Sequence, residues 1–176
     1  MSRDATATAL DAYDPPVNTI GFTGTREGIT DAQRSTLIRV LMGDDVWRTA
    51  SFHHGDCVGA DADFDAILRA IYACPPIESH PCTFAVMRAH CERRGPTVVH
   101  APRRYDRRNR EIVLRSATML VCPKDMSEQR FGGTWATYRI ALAEGRRVLV
   151  VWPDGRLEDR SSPLNRRGRE RREATT

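Results

Sequence analysis

No apolar run in this chain approaches the roughly 18 residues of a membrane span, and its first residues lack a basic-then-apolar signal pattern. A cytoplasmic protein with no membrane partner is the expectation. Paired cysteines are missing as well: Cys57, Cys74, Cys82, Cys91 and Cys122 form an odd set with no repeating C-x-x-C, which argues against a disulfide framework and for reduced thiols. Lysine is almost absent. Lys124 stands alone, in surroundings unlike a phosphate-binding G-x-x-x-x-G-K-[ST] loop, so no Walker-type site is expected. No G-x-G-x-x-G follows a strand-like run, and no acidic residue closes a second such run where a ribose would be held. An ordinary dinucleotide site is therefore disfavoured, and no cofactor is expected.

Arginine is abundant by contrast. It supplies every basic side chain except Lys124, and the formal net charge is +4. The planar guanidinium fork suits phosphate or carboxylate, which is compatible with a phosphorylated partner, although coding bias explains the excess equally well. The excess is concentrated toward the C-terminal half, in the Arg103 to Arg110 stretch, while residues 154–176 mix arginine with aspartate and glutamate. Residues 1–16 and the charged tail 154–176 are expected to be disordered, which leaves residues 17–153 as the domain. With 176 residues, 40% of them hydrophobic and 7% aromatic, the chain can build one core and is too short for two ordinary domains. The arginine-rich loop and the tail keep nucleic acid open as a partner, against the bland reading of a solvated end. Association with a second copy of the chain is also left open.

Strand-like and helix-like runs alternate. Val17 to Phe22 reads as a buried strand, and Thr30 with Gln33 three residues on reads as a capping box opening a helix through Leu37, Ile38, Leu41 and Met42. Thr49 to His53 reads as a second strand, followed by a helix over Ala60 to Ala73 with Phe64, Ile67, Leu68 and Ile71 at core spacing. Pro75 and Pro76 stop that helix. A short strand over Ile77 to Pro81 and a helix over Phe84 to Arg93 lead to Val98, Val99 and Ala101. A helix over Asn109 to Arg115, a strand over Ala117 to Cys122, a helix over Thr134 to Glu144 and a strand over Val148 to Trp152 complete the pattern. Such alternation predicts an α/β fold: one doubly wound parallel sheet covered on both faces, with ligands taken at the carboxyl edge of the strands.

Three glycine loops fall on that edge. They are Gly21-Phe22-Thr23-Gly24-Thr25-Arg26-Glu27-Gly28, His54-Gly55-Asp56-Cys57-Val58-Gly59-Ala60-Asp61 and Gly132-Gly133-Thr134. The third precedes a helix, whose first N–H groups and positive dipole end make an anion cradle. A single Gly-Gly-Thr reads equally well as a helix entry; three loops on one rim read as one site. Taken in order, Gly-x-Thr-Gly-x-Arg at Gly21 to Arg26, His-Gly-x-x-x-Gly-Ala-Asp at His54 to Asp61, Arg108-Asn109 and Gly132 to Thr134 resemble the SLOG superfamily, and within it the YspA-like proteins. The resemblance covers roughly residues 17–152 and implies a Rossmann-like sheet with a pocket for a nucleotide or a nucleotide-derived ligand. Related groups include the LOG phosphoribohydrolases, which cleave a base from a nucleoside monophosphate, the DNA-processing DprA proteins, and nucleotide-sensing domains.

The hydrolases carry Arg-Lys-x-x-Met and Gly-Gly-x-Gly-Thr-x-x-Glu. Arg108 matches their catalytic arginine, Asn109 stands for the lysine, and Thr137 occupies the position of the glutamate. Cleavage of an N-ribosidic bond builds positive charge on the sugar that a carboxylate stabilises and a threonine does not. Glu111 or Asp61 would have to substitute, so Arg108, Glu111 and Asp61 are the catalytic candidates should the chain be a hydrolase. The ligand-binding candidates are Gly24, Thr25, Arg26, His54, Gly55, Gly59, Ala60, Asp61, Arg108, Asn109, Gly132, Gly133, Thr134 and Thr137. Phosphate is assigned to the Arg26 and Gly133 loops, and ribose or base to the more acidic second loop. Asp56, Asp61, Asp63 and Asp65 have a bland reading as helix-start acids. Trp135 and Tyr105 are stacking or packing residues. His53, His54, Asp56 and Cys57, like His80, Cys82, His90 and Cys91, match no zinc spacing, and no metal is expected.

Overall fold

Continuous apolar runs such as Val148 to Val151 have no polar face to show to water, and the sheet buries them on both sides. A computed structural model describes residues 14–43 and 45–161. The strands are β1 (Thr19–Gly24), β2 (Ser51–His54), β3 (Ile77–Ser79), β4 (Val98–Val99), β5 (Thr118–Cys122), β6 (Arg147–Val151) and β7 (Leu157–Asp159). The helices are α1 (Asp31–Gly43), the single turn α2 (Asp45–Arg48), α3 (Ala60–Ile71), α4 (Tyr105–Leu114) and α5 (Gly133–Ala143). The sheet order is β4-β3-β2-β1-β5-β6-β7, parallel except for the β6–β7 pair.

Alternation along the strands sends side chains to two cores. Ile20, Phe22, Phe52, Leu120 and Leu149 pack with α1 and α3, where Phe22 and Phe64 stack at 4.2 Å. Met119, Val121, Val148 and Val150 pack with α4 and α5 against Trp135 and Tyr138. This is the doubly wound α/β sheet expected from the sequence, a Rossmann-like architecture. The capping box at α1 closes in both directions: Gln33 N donates to Thr30 Oγ1 at 3.1 Å and Thr30 N to Gln33 Oε1 at 2.9 Å.

Two expectations need correction. The tail does not begin at residue 154, because Leu157–Asp159 adds an antiparallel edge strand to β6. Pro153-Asp154-Gly155 is the reason: it reverses the chain, with Gly155 N donating to the Trp152 carbonyl at 2.8 Å and Trp152 N to that of Arg156 at 2.9 Å. The charges then settle on Trp152, whose indole N–H donates to Glu158 at 2.8 Å beneath Arg156 and Arg160. Nor is Phe84 to Arg93 a helix. It forms two 3-10 turns, Ala85–Met87 and Cys91–Arg94, broken at His90 (φ 54°). Phe84 and Val86 are exposed, so no apolar stripe drives a helix here. Asp56 pins the segment instead, through Arg88 at 2.7 Å and the Cys91 N–H at 2.9 Å. At the other end Pro16 belongs to the fold, its carbonyl accepting from Thr19 N at 3.0 Å. The disorder expected for residues 1–13 and 162–176 falls outside the described residues.

Candidate functional site

After β1 the chain winds outward through β2, β3 and β4, then returns to place β5 on the other side of β1. Loops leaving β1 and β5 therefore diverge, and a crevice opens at their carboxyl ends. A cleft of about 580 Å³ occupies it. Gly24, Thr25 and Arg26 of the first loop line it, with Asp61 of α3, Arg108 and Asn109 of α4, and Gly132, Gly133, Thr134 and Thr137 of the third loop and α5.

The three loops are tied to one another. Thr134 Oγ1 donates to the Gly24 carbonyl at 2.8 Å, and Ala60 N donates to that of Thr25 at 2.9 Å. Gly59 adopts φ 88°, and a Cβ there would lie 2.3 Å from the Arg26 carbonyl oxygen. Gly55 has a different reason to lack a side chain: its Cβ would stand 1.3 Å from Nη1 of Arg108, so the guanidinium occupies the space a side chain would take. Gly55, Gly59 and Ala60 thus shape the wall from behind and do not line the cleft. His54 is fully buried on the α3 side, 3.7 Å from Asp65, and also lies away from it.

Glu111 is the main displacement. Three helical residues beyond Arg108, it is turned about 60° to the side opposite Asn109 and Ile112, where Arg103 (2.8 Å) and Arg115 (3.3 Å) engage it. It cannot serve as the substitute carboxylate. Asp61 alone of the two proposed carboxylates faces the cleft, with Cys57 N donating to its Oδ2 at 3.1 Å and Arg108 3.8 Å away. Burial pushes its carboxyl above the usual aspartate range, against the opposing pull of Arg108. The other acids of this region do not cap α3, whose start at Gly59 has no side-chain cap. Asp56 holds Arg88, Asp63 accepts from Ile29 N at 3.0 Å, and Asp65 binds Arg69 at 3.0 Å.

Arg108 is only 6% exposed, and its Nε has no hydrogen-bond partner. Tyr105 lies between Arg108 and Arg26, each guanidinium 5.5 Å from its ring, and accepts from Arg26 at 3.2 Å. At the opposite wall Gly132 (φ 111°) precedes the first residue of α5 as its N-cap and supplies no side-chain cap, so the first N–H groups of the helix are left to the cleft. Thr137 is 1% exposed and donates to the Gly133 carbonyl at 2.8 Å. Trp135 fills the core beneath, against Tyr138 and Trp152. Much of the Arg103 to Arg110 run is engaged within the chain: Arg103 with Glu111, Arg104 with Asp106, Arg110 with Glu144, and Arg108 inward.

Residues not among the site candidates complete the rim: Glu27, Asp125, Gln129 and Phe131, with Lys124, which the sequence offered only as a lysine outside any Walker loop. Most belong to the loop after β5, and the rule that ligands sit at carboxyl strand ends was the signal that marks it. Cys57 also lines the cleft. Burial, reinforced by Asp61, raises its thiol to about 11. At pH 8 a colorimetric disulfide reagent is therefore expected to modify exposed Cys74 first and Cys57 at least about tenfold more slowly, with the Cys57 rate climbing toward pH 11. Labelling of a Cys74→Ser variant reads this directly; fast labelling at pH 8 assigned to Cys57 would contradict it.

The histidine and cysteine groups weighed from sequence spacing do not assemble as written. His53 and His80 instead meet Glu78 and His100, residues of the β2, β3 and β4 edge. Burial pulls His53 down to about 4, with Glu78 opposing, and His80 well below the usual histidine range, so both rings are neutral near pH 7.

Fold and cleft together define a doubly wound α/β protein with a crevice at its topological switch point. No family model, no curated protein and no solved structure matches the chain.

Proposed function

We propose that the protein binds a nucleotide or nucleotide-derived ligand in this cleft. The phosphate lies against the start of α5 and Arg26, and the ribose or base lies toward Asp61 and Tyr105. One observation carries the reading: three glycine loops, two arginines and an uncapped helix start border a single crevice at the β1–β5 switch point. Free N–H groups and guanidinium forks favour an oxyanion, whereas a buried carboxylate favours hydroxyl or amino donors. The ordered motifs resembling the SLOG superfamily point the same way. A thermal-shift screen of nucleoside mono-, di- and triphosphates, cyclic nucleotides and ADP-ribose-type compounds tests it. A ligand at 100 times its Kd stabilises by about 2.7 kcal/mol, roughly 5–10 °C in a chain of this size. Arg108→Ala is expected to remove the shift. A folded protein that no member of the panel stabilises would overturn the proposal.

A second reading adds hydrolysis of the N-ribosidic bond, favoured by Asp61 lying in the cleft beside Arg108. Water would add to the sugar carbon as the base leaves with a proton. Chromatography of protein incubated with nucleoside monophosphates detects free base, and release that Asp61→Asn abolishes would establish this reading. Thr137→Glu restores the hydrolase carboxylate. Because Thr137 is buried, this is not the surface helix substitution its sequence position suggests; the longer side chain has only the cleft to enter.

A further inference from the structure

Parallel pairing brings His53 of β2 level with Glu78 of β3, and Glu78 level with Val98 of β4. His80 and His100 follow at the carboxyl ends of their strands, so three imidazoles and a carboxylate gather on the α4 side of the sheet. They lie behind the helix that carries Arg108 into the cleft. His53 Nδ1 is 3.1 Å from His80 Nε2 and 3.8 Å from Glu78 Oε2, and the three residues bring one donor atom each within 4.8 Å of the others. Donors around a tetrahedral zinc ion, at bond lengths near 2.0–2.1 Å, stand roughly 3.3 Å apart.

We propose that His53 Nδ1, His80 Nε2 and Glu78 Oε2 bind one divalent transition-metal ion of the zinc class, separately from the nucleotide cleft. Two imidazole nitrogens facing each other share a single proton in a hydrogen bond, whereas a cation accepts both lone pairs. The surroundings fit a metal's outer shell. His100 Nε2 lies 2.7 Å from Glu78 Oε2 and orients that carboxylate. His80 Nδ1 is buried without a hydrogen-bond partner, and the carboxylate nearest it is Glu111, at 3.9 Å. A metal on Nε2 fixes the proton on Nδ1, toward that carboxylate. The neighbouring cations Arg103 and Arg115 are both held by Glu111. Three protein ligands leave one coordination position for water, and the partial exposure of Glu78 and His100 gives an entry path.

Full-length protein dialysed against chelator is titrated with Zn²⁺ and Co²⁺, reading stoichiometry by elemental analysis, affinity by chelator competition and geometry by Co²⁺ visible absorption. One equivalent with a tetrahedral Co²⁺ spectrum is expected, and His80→Gln should weaken binding roughly 100-fold or more. His90, which contacts Glu92 elsewhere, is the control: His90→Gln should bind as the parent does. Should His80→Gln fail to fold by circular dichroism, Glu78→Gln, at a partly exposed position, takes its place. Retention of less than a tenth of an equivalent would overturn the proposal. So would affinity that His80→Gln or Glu78→Gln leaves unchanged.

Discussion

Gly59→Ala is expected to destabilise the protein by about 2–5 kcal/mol, the sum of a left-handed backbone penalty of about 1–2 and an overpacking cost of about 1–3. At φ 88° any L side chain is strained, and its Cβ would meet the carbonyl oxygen, carbonyl carbon and Cα of Arg26 at 2.3, 2.4 and 2.7 Å. Those are backbone atoms, and no rotamer change relieves the clash. The first loop would have to move, carrying with it the Ala60 N–H bond to Thr25 and the Arg26 contact with Tyr105. Urea unfolding followed by circular dichroism measures the loss. Gly43→Ala is the matched control, because nothing lies within 4 Å of its Cβ, and it should be neutral or stabilising by up to about 1 kcal/mol. A Gly59→Ala loss below about 1 kcal/mol would mean that the first two loops are not locked together.

The parts of the fold visible in the sequence are those set by local pattern. Phe64, Ile67, Leu68 and Ile71 mark α3 by spacing alone, and Thr30 with Gln33 marks the start of α1. The glycine loops follow strands, so the strand-edge rule places all three on one rim. What was not legible depends on phase and on distant partners. Reading α4 from Asn109 leaves Arg108 outside the helix. With the observed start at Tyr105, Arg108 and Glu111 point to different sides. Asp56 resembles a helix-start acid until Arg88, 32 residues away, takes its carboxylate. The histidine cluster is assembled by strand register from three separate strands, and no spacing along the chain announces it. Strand β7 was legible in principle: Pro153-Asp154-Gly155 is a turn signal, masked by the density of charge around it.

Gly133→Val is expected to lower ligand affinity at least tenfold while leaving stability nearly unchanged, and the two halves of that result together locate the phosphate. The residue with the left-handed backbone is Gly132, at φ 111°; Gly133 is the first residue of α5, and a Cβ there meets nothing within 4 Å. A valine is therefore tolerated by the protein: it is the better helix former of the two by about 0.3 kcal/mol, so propensity costs nothing and the melting temperature should move by only about 1 °C. Its two methyl groups stand in the cleft, over the N–H groups of the first turn of α5. A phosphate seated there would be pushed out of hydrogen-bond range of those groups, and each lost charge-assisted bond is worth about 1.5–3 kcal/mol. Calorimetric titration of the parent and variant with the best ligand from the nucleotide panel measures the difference, with circular dichroism confirming the fold. Equal affinity would remove the phosphate from the third loop, leaving Arg26 as its assigned contact and α5 as a helix that merely closes the wall.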